Sequence, residues 1–470
     1  PVLQAKYAWA VAQYHWVHYV YGSESEMNTA LKDLGAIQLL DSTIAFLQDE
    51  GLPIWALRCE HARVLLAGYM HVPTPEEAED AQRIADELVE LLPPSHSWTI
   101  QALNTVAGLW YRIAEKYPQT VHTPKAVPDS AERSRLLRAD LLHYYDLSLQ
   151  TYQDLLSQSM VRYGPDHVFS ATAGIAVGQQ LMLLGDPEAG RRYYEEGIRI
   201  RTKLAGPNTE LLLRVKTGYG VCLMKALDYE AAVKHYEQHW QVCASQPLLG
   251  PGHPITVVAH RGYQHALRPL GRVDLIREDS KIQWEGASEA FVAARTHLAQ
   301  DLYTITGTES VFGPDPGVVE AIDARIAQLK QSWIDNPAPG SVHDRWLNSE
   351  LPVLNHRMKA LHAILEGDEV ALAAWRDEVD QGLKSQYLTY LGRIEFLAGN
   401  QEALLEILER AKETGIAAII NMVRADIALL DLQEGNRVPA ERLLEEMDSQ
   451  AETRYTPPMS RLRWFLHHKP

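Results

Sequence analysis

Three glycine-proline pairs constrain the fold of this chain more than any other feature. Gly164-Pro165, Gly206-Pro207 and Gly250-Pro251 stand 42 and then 44 residues apart. After each comes a run with helical periodicity, a short break and a second helical run. Self-similarity at a period of roughly 20–50 residues builds stacked arrays rather than one closed core, because a single helix pair cannot bury its apolar face alone. Strand signals are nearly absent: there are no alternating β-branched runs and no Asn-Gly or Asp-Gly hairpin turns. The expected fold is therefore all-α, a solenoid of antiparallel helix pairs.

Each unit reads as helix, tight turn, helix. In the first, runs at 166–184 and 188–204 flank Gly185-Asp186-Pro187. In the second, 208–226 and 229–244 flank Leu227-Asp228; in the third, 253–269 and 273–284 flank Leu270-Gly271. Proline-bearing connections at 118–129 and 335–342 divide the chain into three expected blocks. These are an N-terminal helical block (1–117), a central array (130–305) and a C-terminal helical block (318–470). The turn glycines of the last block, Gly367, Gly399 and Gly435, are 32 and 36 residues apart. Helices are also expected at 2–21, 25–50, 54–71, 97–117, 286–304 and 318–334. Thr74-Pro75-Glu76-Glu77 opens another: Thr74 can cap, Pro75 suits the first helical position, and Glu77 completes a capping box. The run 130–162 reads as a long helix with a break near Ser148.

Certain residues recur at fixed places in the pairs. Gly178 and Gly220 sit in the middle of the first helix, eight residues before Asp186 and Asp228. Gly190 and Ala232 come early in the second helix, and Tyr194 and Tyr236 follow four residues later. Gly392, Ala428, Ala403 and Ala440 repeat the small-residue pattern near the C-terminus. This pattern resembles tetratricopeptide repeats. The Leu249-Gly250-Pro251-Gly252-His253-Pro254 loop is similar to those joining the longer repeats of kinesin light chains. The resemblance implies a right-handed superhelix, and it covers mainly residues 163–284 and 352–450. Gln264 and Ile276 depart from it, standing where small residues are usual.

The resemblance also implies that positions two, five, nine and twelve of each first helix line a concave groove. Gln179, Arg214, Arg261, His265 and Arg268 occupy such positions. On a chain of net charge -17 they would form a local basic surface for an acidic or carboxylate-bearing peptide, held by bidentate arginine contacts. Arginines paired with glutamates of neighbouring helices are the alternative.

The overall acidity argues against nucleic acid or anionic membrane as a general partner. Cys59, Cys222 and Cys243 are too scattered for a disulfide framework, so reduced thiols and a cytoplasmic setting are expected. No apolar run approaches the ~20 residues that span a bilayer. There is no phosphate-binding glycine loop, no His-Glu-x-x-His and no Gly-x-Ser-x-Gly, and no cofactor is expected. Cys59-Glu60-His61 puts two ligand types together, but adjacent helical residues point ~100° apart, so no metal is expected there. His15 and His18, among Tyr14, Trp16, Tyr19 and Tyr21, read as a binding face or as a capping helix. The Glu76-Glu77, Glu79-Asp80 and Glu445-Glu446 runs read as solvated faces. The leading expectation is a non-catalytic interaction scaffold or adaptor that binds a partner peptide in its groove. A sensing module of a larger regulatory protein, allowed by the Pro1 start, and an enzyme with an aromatic, histidine-lined pocket are the rivals.

Overall fold

The computed structural model describes residues 36–70, 73–120, 130–246, 249–250, 253–278, 302, 305–306, 309, 313–335, 351–382, 388–414, 417–448, 462 and 466. The helix expected at 2–21, with His15 and His18, and all of the one expected at 286–304 except position 302 lie outside those residues. Among the described residues every regular element is helical, and no helix is long and apolar enough to cross a membrane.

Two compact units divide the chain, one running to Gly206 and the other continuing from Pro207. The first contains α1 (Ala36–Asp49), α2 (Pro53–Met70), α3 (Pro75–Leu91), α4 (Ser97–Thr120), α5 (Ser130–Tyr163, from Arg135 on), α6 (Val168–Leu184) and α7 (Pro187–Ala205). The second contains α8 (Glu210–Lys225), α9 (Tyr229–Ser245), α10 (Pro254–Leu267) and a 3-10 turn, Arg268–Leu270. It continues through α11 (Pro316–Asp335), α12 (Leu351–Glu366), α13 (Glu369–Gly382), α14 (Leu388–Leu397), α15 (Gln401–Thr414), α16 (Ala417–Gln433) and α17 (Val438–Asp448).

Local chemistry accounts for where the helices start and stop. At Thr74 the capping box forms as expected: its hydroxyl accepts from the Glu77 amide, and the Glu77 carboxylate accepts from the Thr74 amide. Histidine caps were not foreseen. Nδ1 of His96, His167 and His253 each accepts from the amide two residues on, at 3.2 Å, and starts α4, α6 and α10.

Within pairs, one turn recurs. At the end of α6 Gly185 takes φ 99°, and the Asp186 amide returns to the Leu181 carbonyl at 2.8 Å. The Asp186 carboxylate then caps α7 through the Ala189 amide. Matching turns close α10, α12, α14 and α16 at Gly271, Gly367, Gly399 and Gly435. Between α8 and α9 the left-handed place falls to Leu227, at φ 63°.

The small residues do what steric reasoning asks of them. A Cβ at Gly178 would lie 2.8 Å from the Gly190 carbonyl oxygen, so α6 and α7 meet backbone to backbone. Tyr236 of α9 lies between Gly220 of its own pair and Gly262 of α10, and donates its hydroxyl to the Thr217 carbonyl at 3.2 Å. The third unit thus admits the ring through Gly262, while Gln264 and Ile276 are buried.

α5 does not break at Ser148. It is continuous, and Ser148 is fully buried, donating its hydroxyl to the Ala107 carbonyl at 2.9 Å. A serine that bonds across to a neighbouring helix leaves its own helix intact, whereas one that bonds locally competes with it.

Candidate functional site

The five residues that the repeat pattern picks out do not share one environment. Gln179, on α6 of the first unit, donates to the Tyr111 hydroxyl at 3.1 Å. Arg214 is exposed on α8 and pairs with Glu210 of the same helix at 2.8 Å. Arg261 and His265 are half-buried on α10, and Arg268 is only 7% exposed. These last three do converge: Arg268 Nη1 lies 3.4 Å from His265 Nδ1. Burial first, and then the charges of Arg268 and Arg261, push the His265 imidazole down to about 3. It is therefore a neutral spacer between two guanidiniums at any physiological pH.

Cys59, Glu60 and His61 diverge, as their helical spacing demands. His61 Nε2 meets the Thr105 hydroxyl at 2.7 Å, and Glu60 pairs with Arg83 at 3.2 Å. Burial pushes the Cys59 thiol up to about 11. No group of three or more His, Cys, Asp or Glu among the described residues is arranged to hold a metal ion.

A concave site does form within the first unit, where sequence reading expected only a solvated face. α3 presents Glu79, Gln82, Arg83, Asp86, Glu87 and Glu90 along one side. Their spacing follows the helical repeat, with the apolar Ala78, Ala81, Ile84, Ala85 and Leu88 turned to the core. α5 contributes Leu147, Gln150, Thr151 and Asp154 from across a cleft of about 510 Å³. Between them, on α4, Trp110 forms the floor. Its ring is 7% exposed and stacks on Tyr144 with centroids 5.8 Å apart and planes 11° apart.

Electrostatically the cleft is one-sided: five carboxylates face one guanidinium. That guanidinium, Arg83, is already committed to Asp80 (2.7 Å), Glu87 (2.5 Å) and Glu60 (3.2 Å). The negative field extends to Tyr144, the ring stacked on Trp110. Burial is the main cause that raises the Tyr144 phenol, and the carboxylates of Asp140, Glu76 and Glu79 add to it. An aromatic face ringed by carboxylates suits an ammonium or guanidinium, which gains from the ring quadrupole and the surrounding charge together.

The polar faces of α3 and α5 are each legible at helical spacing. Their meeting over Trp110 is a contact across some 60 residues of chain, which no local pattern announces. No protein-family model matches the chain, and no curated protein matches it in sequence.

Proposed function

We propose that this protein is a non-catalytic interaction scaffold whose first unit holds a basic segment of a partner protein in the α3–α4–α5 cleft. The observation that carries this reading is that Trp110 and the carboxylate residues Glu79, Asp86, Glu90 and Asp154 line one cleft. A lysine or arginine side chain entering there would lay its charge over the indole and its donors on the rim. The helix pairs are read as a right-handed, tetratricopeptide-like solenoid. The recurrent turns, the Gly178–Gly190 contact and the Tyr236 wedge support that reading. Such arrays use their concave surfaces to bind extended or helical segments.

The test is calorimetric titration of the full chain with hexa-arginine at 150 mM salt. The triple variant Glu79→Gln/Asp86→Asn/Asp154→Asn should bind at least tenfold more weakly. A control triple on α15, Glu402→Gln/Glu406→Gln/Glu409→Gln, removes as much charge elsewhere and should bind as the native chain does. Equal weakening in both variants would reduce the effect to bulk charge and end the proposal.

A second reading rests on the convergence of Arg261, His265 and Arg268. Two guanidiniums held about a neutral imidazole suit a carboxylate-bearing or acidic partner segment. Arg261→Glu is the informative variant, because Arg268 is buried and its replacement would test the fold instead. Loss of hexa-glutamate binding supports this reading; unchanged binding removes it.

A further inference from the structure

Between α8 and α9 of the second unit three basic side chains are packed together, and among the described residues no carboxylate is paired with them. His239 is 3% exposed, and Lys216 and His235 are half-buried beside it. The His235 and His239 rings lie one helical turn apart on α9 and stack with centroids 5.8 Å apart. The groups whose charge acts on His239 are His235 and Lys216, both cationic when protonated. On His235 it is Lys216 alone.

The seam combines ring N–H groups that donate to oxygen with one ring nitrogen, His239 Nδ1, that accepts only while the imidazole is neutral. His235 Nε2–H donates to the Lys216 carbonyl at 2.7 Å. With the Thr217 hydroxyl donating to the Leu213 carbonyl at 3.2 Å, its oxygen accepts from His239 Nε2–H, 3.0 Å away. We assign the His239 proton to Nε2 on this ground, which leaves the lone pair on Nδ1, 3.7 Å from the fully buried Cys243 thiol. Lys216 Nζ is turned to the Pro207 carbonyl at 3.0 Å.

We propose that Lys216, His235 and His239 form an acid-released latch that holds α8 against α9 while both imidazoles are neutral and lets the hairpin open when they take up protons. The second proton on His239 must go to Nδ1. There it displaces the thiol's hydrogen bond and sets N–H against S–H. Two imidazolium charges beside Lys216 would then repel across a seam in which the described residues place no carboxylate.

The other elements packed on α9 do not supply a counter-charge to this seam. α10 brings His260 edge-on to Trp240, with ring centroids 5.3 Å apart, and Arg261 and His265 toward its C-terminal end. The 3-10 turn brings Arg268, and beyond it Arg272 is paired with Glu230 at the start of α9. From α8 the remaining charges are Glu210 and Arg214, which pair with each other, and Lys225 in the last turn; the Tyr219 ring lies edge-on to His235, with centroids 4.9 Å apart.

Hydrogen exchange of the full chain at pH 7.5 and pH 5.0, corrected for intrinsic rates, tests the latch. An imidazole that titrates near 6.5 only when the hairpin is open raises the open population about thirtyfold between those pH values. Amides of 210–245 should lose protection by at least that factor in the native chain. The double variant His235→Gln/His239→Gln should lose less than about threefold there, and His61→Gln should leave the second unit's response as it is. The same loss in the double variant, or loss spread evenly over every helix, would overturn the proposal. Should the double variant not fold, histidine resonances of the native chain replace it. Proton uptake by His239 with 210–245 still protected overturns the latch; uptake together with deprotection upholds it.

Discussion

At the scale of single residues, the two glycines that the repeat pattern equates are not equivalent in space. Gly178 has no room for a methyl group, since its Cβ would lie 2.8 Å from the Gly190 carbonyl oxygen and 3.0 Å from Tyr193 Cβ. Gly392 has room: the nearest atoms to its Cβ, on Val423, Asp426 and Leu404, lie at 3.5–3.7 Å. Gly178→Ala should therefore cost about 3 kcal/mol through overpacking. Gly392→Ala should be neutral or stabilise by up to about 1 kcal/mol, the helix preference of alanine over glycine. Urea denaturation of both variants checks the difference in sign. Tyr236 offers a second test of the same packing. Tyr236→Phe loses the bond to the Thr217 carbonyl and should cost about 1 kcal/mol, while Tyr236→Ala leaves the space between Gly220 and Gly262 empty and should cost about 3–5 kcal/mol. The thiols belong to this scale too. All three are buried, and burial raises Cys59 and Cys243 to about 11. In the native chain they should react with a disulfide reagent far more slowly than in urea.

At the scale of elements, helix ends carry more of the specification than helix interiors. The turn after α6 joins a left-handed glycine to a capping aspartate, and its parts are separable. Asp186 is exposed and accepts from the Ala189 amide at 3.0 Å, so Asp186→Ala should cost about 1 kcal/mol. A shifted denaturation midpoint with an unchanged slope would identify it as a pure capping loss. These turns were readable in advance because glycine, aspartate and proline act within a few residues of themselves. The histidine caps of α4, α6 and α10 were not, since histidine is outside the usual set of capping residues. The Gly-Pro-x-His spacing before α6 and α10 was nonetheless a visible cue. Ser148 shows the opposite limit. A helix-breaking reading of serine assumes that its hydroxyl finds a local partner; here the partner is a carbonyl on α4.

At the scale of the whole molecule, the distribution of charge and of buried imidazoles governs response to pH. His61 in the first unit is pushed down to about 4, by burial first and then by Arg58. Burial is also the main cause for His239 and His265 in the second unit, each near 3. A group whose folded value is depressed stabilises fully above its unfolded value, near 6.5, and that stability is lost as pH falls toward the folded value. Chain stability should therefore decline between about pH 6.5 and pH 4, with His61 alone contributing up to about 3 kcal/mol. Urea midpoints across that range should show the decline, and His61→Gln should flatten its first-unit share. An unchanged pH slope in that variant would contradict the account.

The sequence by itself determined that this chain is helical, that its helices come in pairs, where most of them turn, and which small residues permit close approach. Those features arise from backbone sterics, hydrogen bonds within one turn, and a repeat that must bury its face against a neighbour. Tertiary structure alone decided that the carboxylates of α3 face α5 over Trp110, that Tyr236 enters the third unit through Gly262, and that His239 stands between Thr217 and Cys243. The reason is geometric. Helical periodicity gives the angular position of a side chain about its own axis, but not the rotation and crossing of that axis against another helix. Side chains from distant stretches become one site only when those rotations are set by packing.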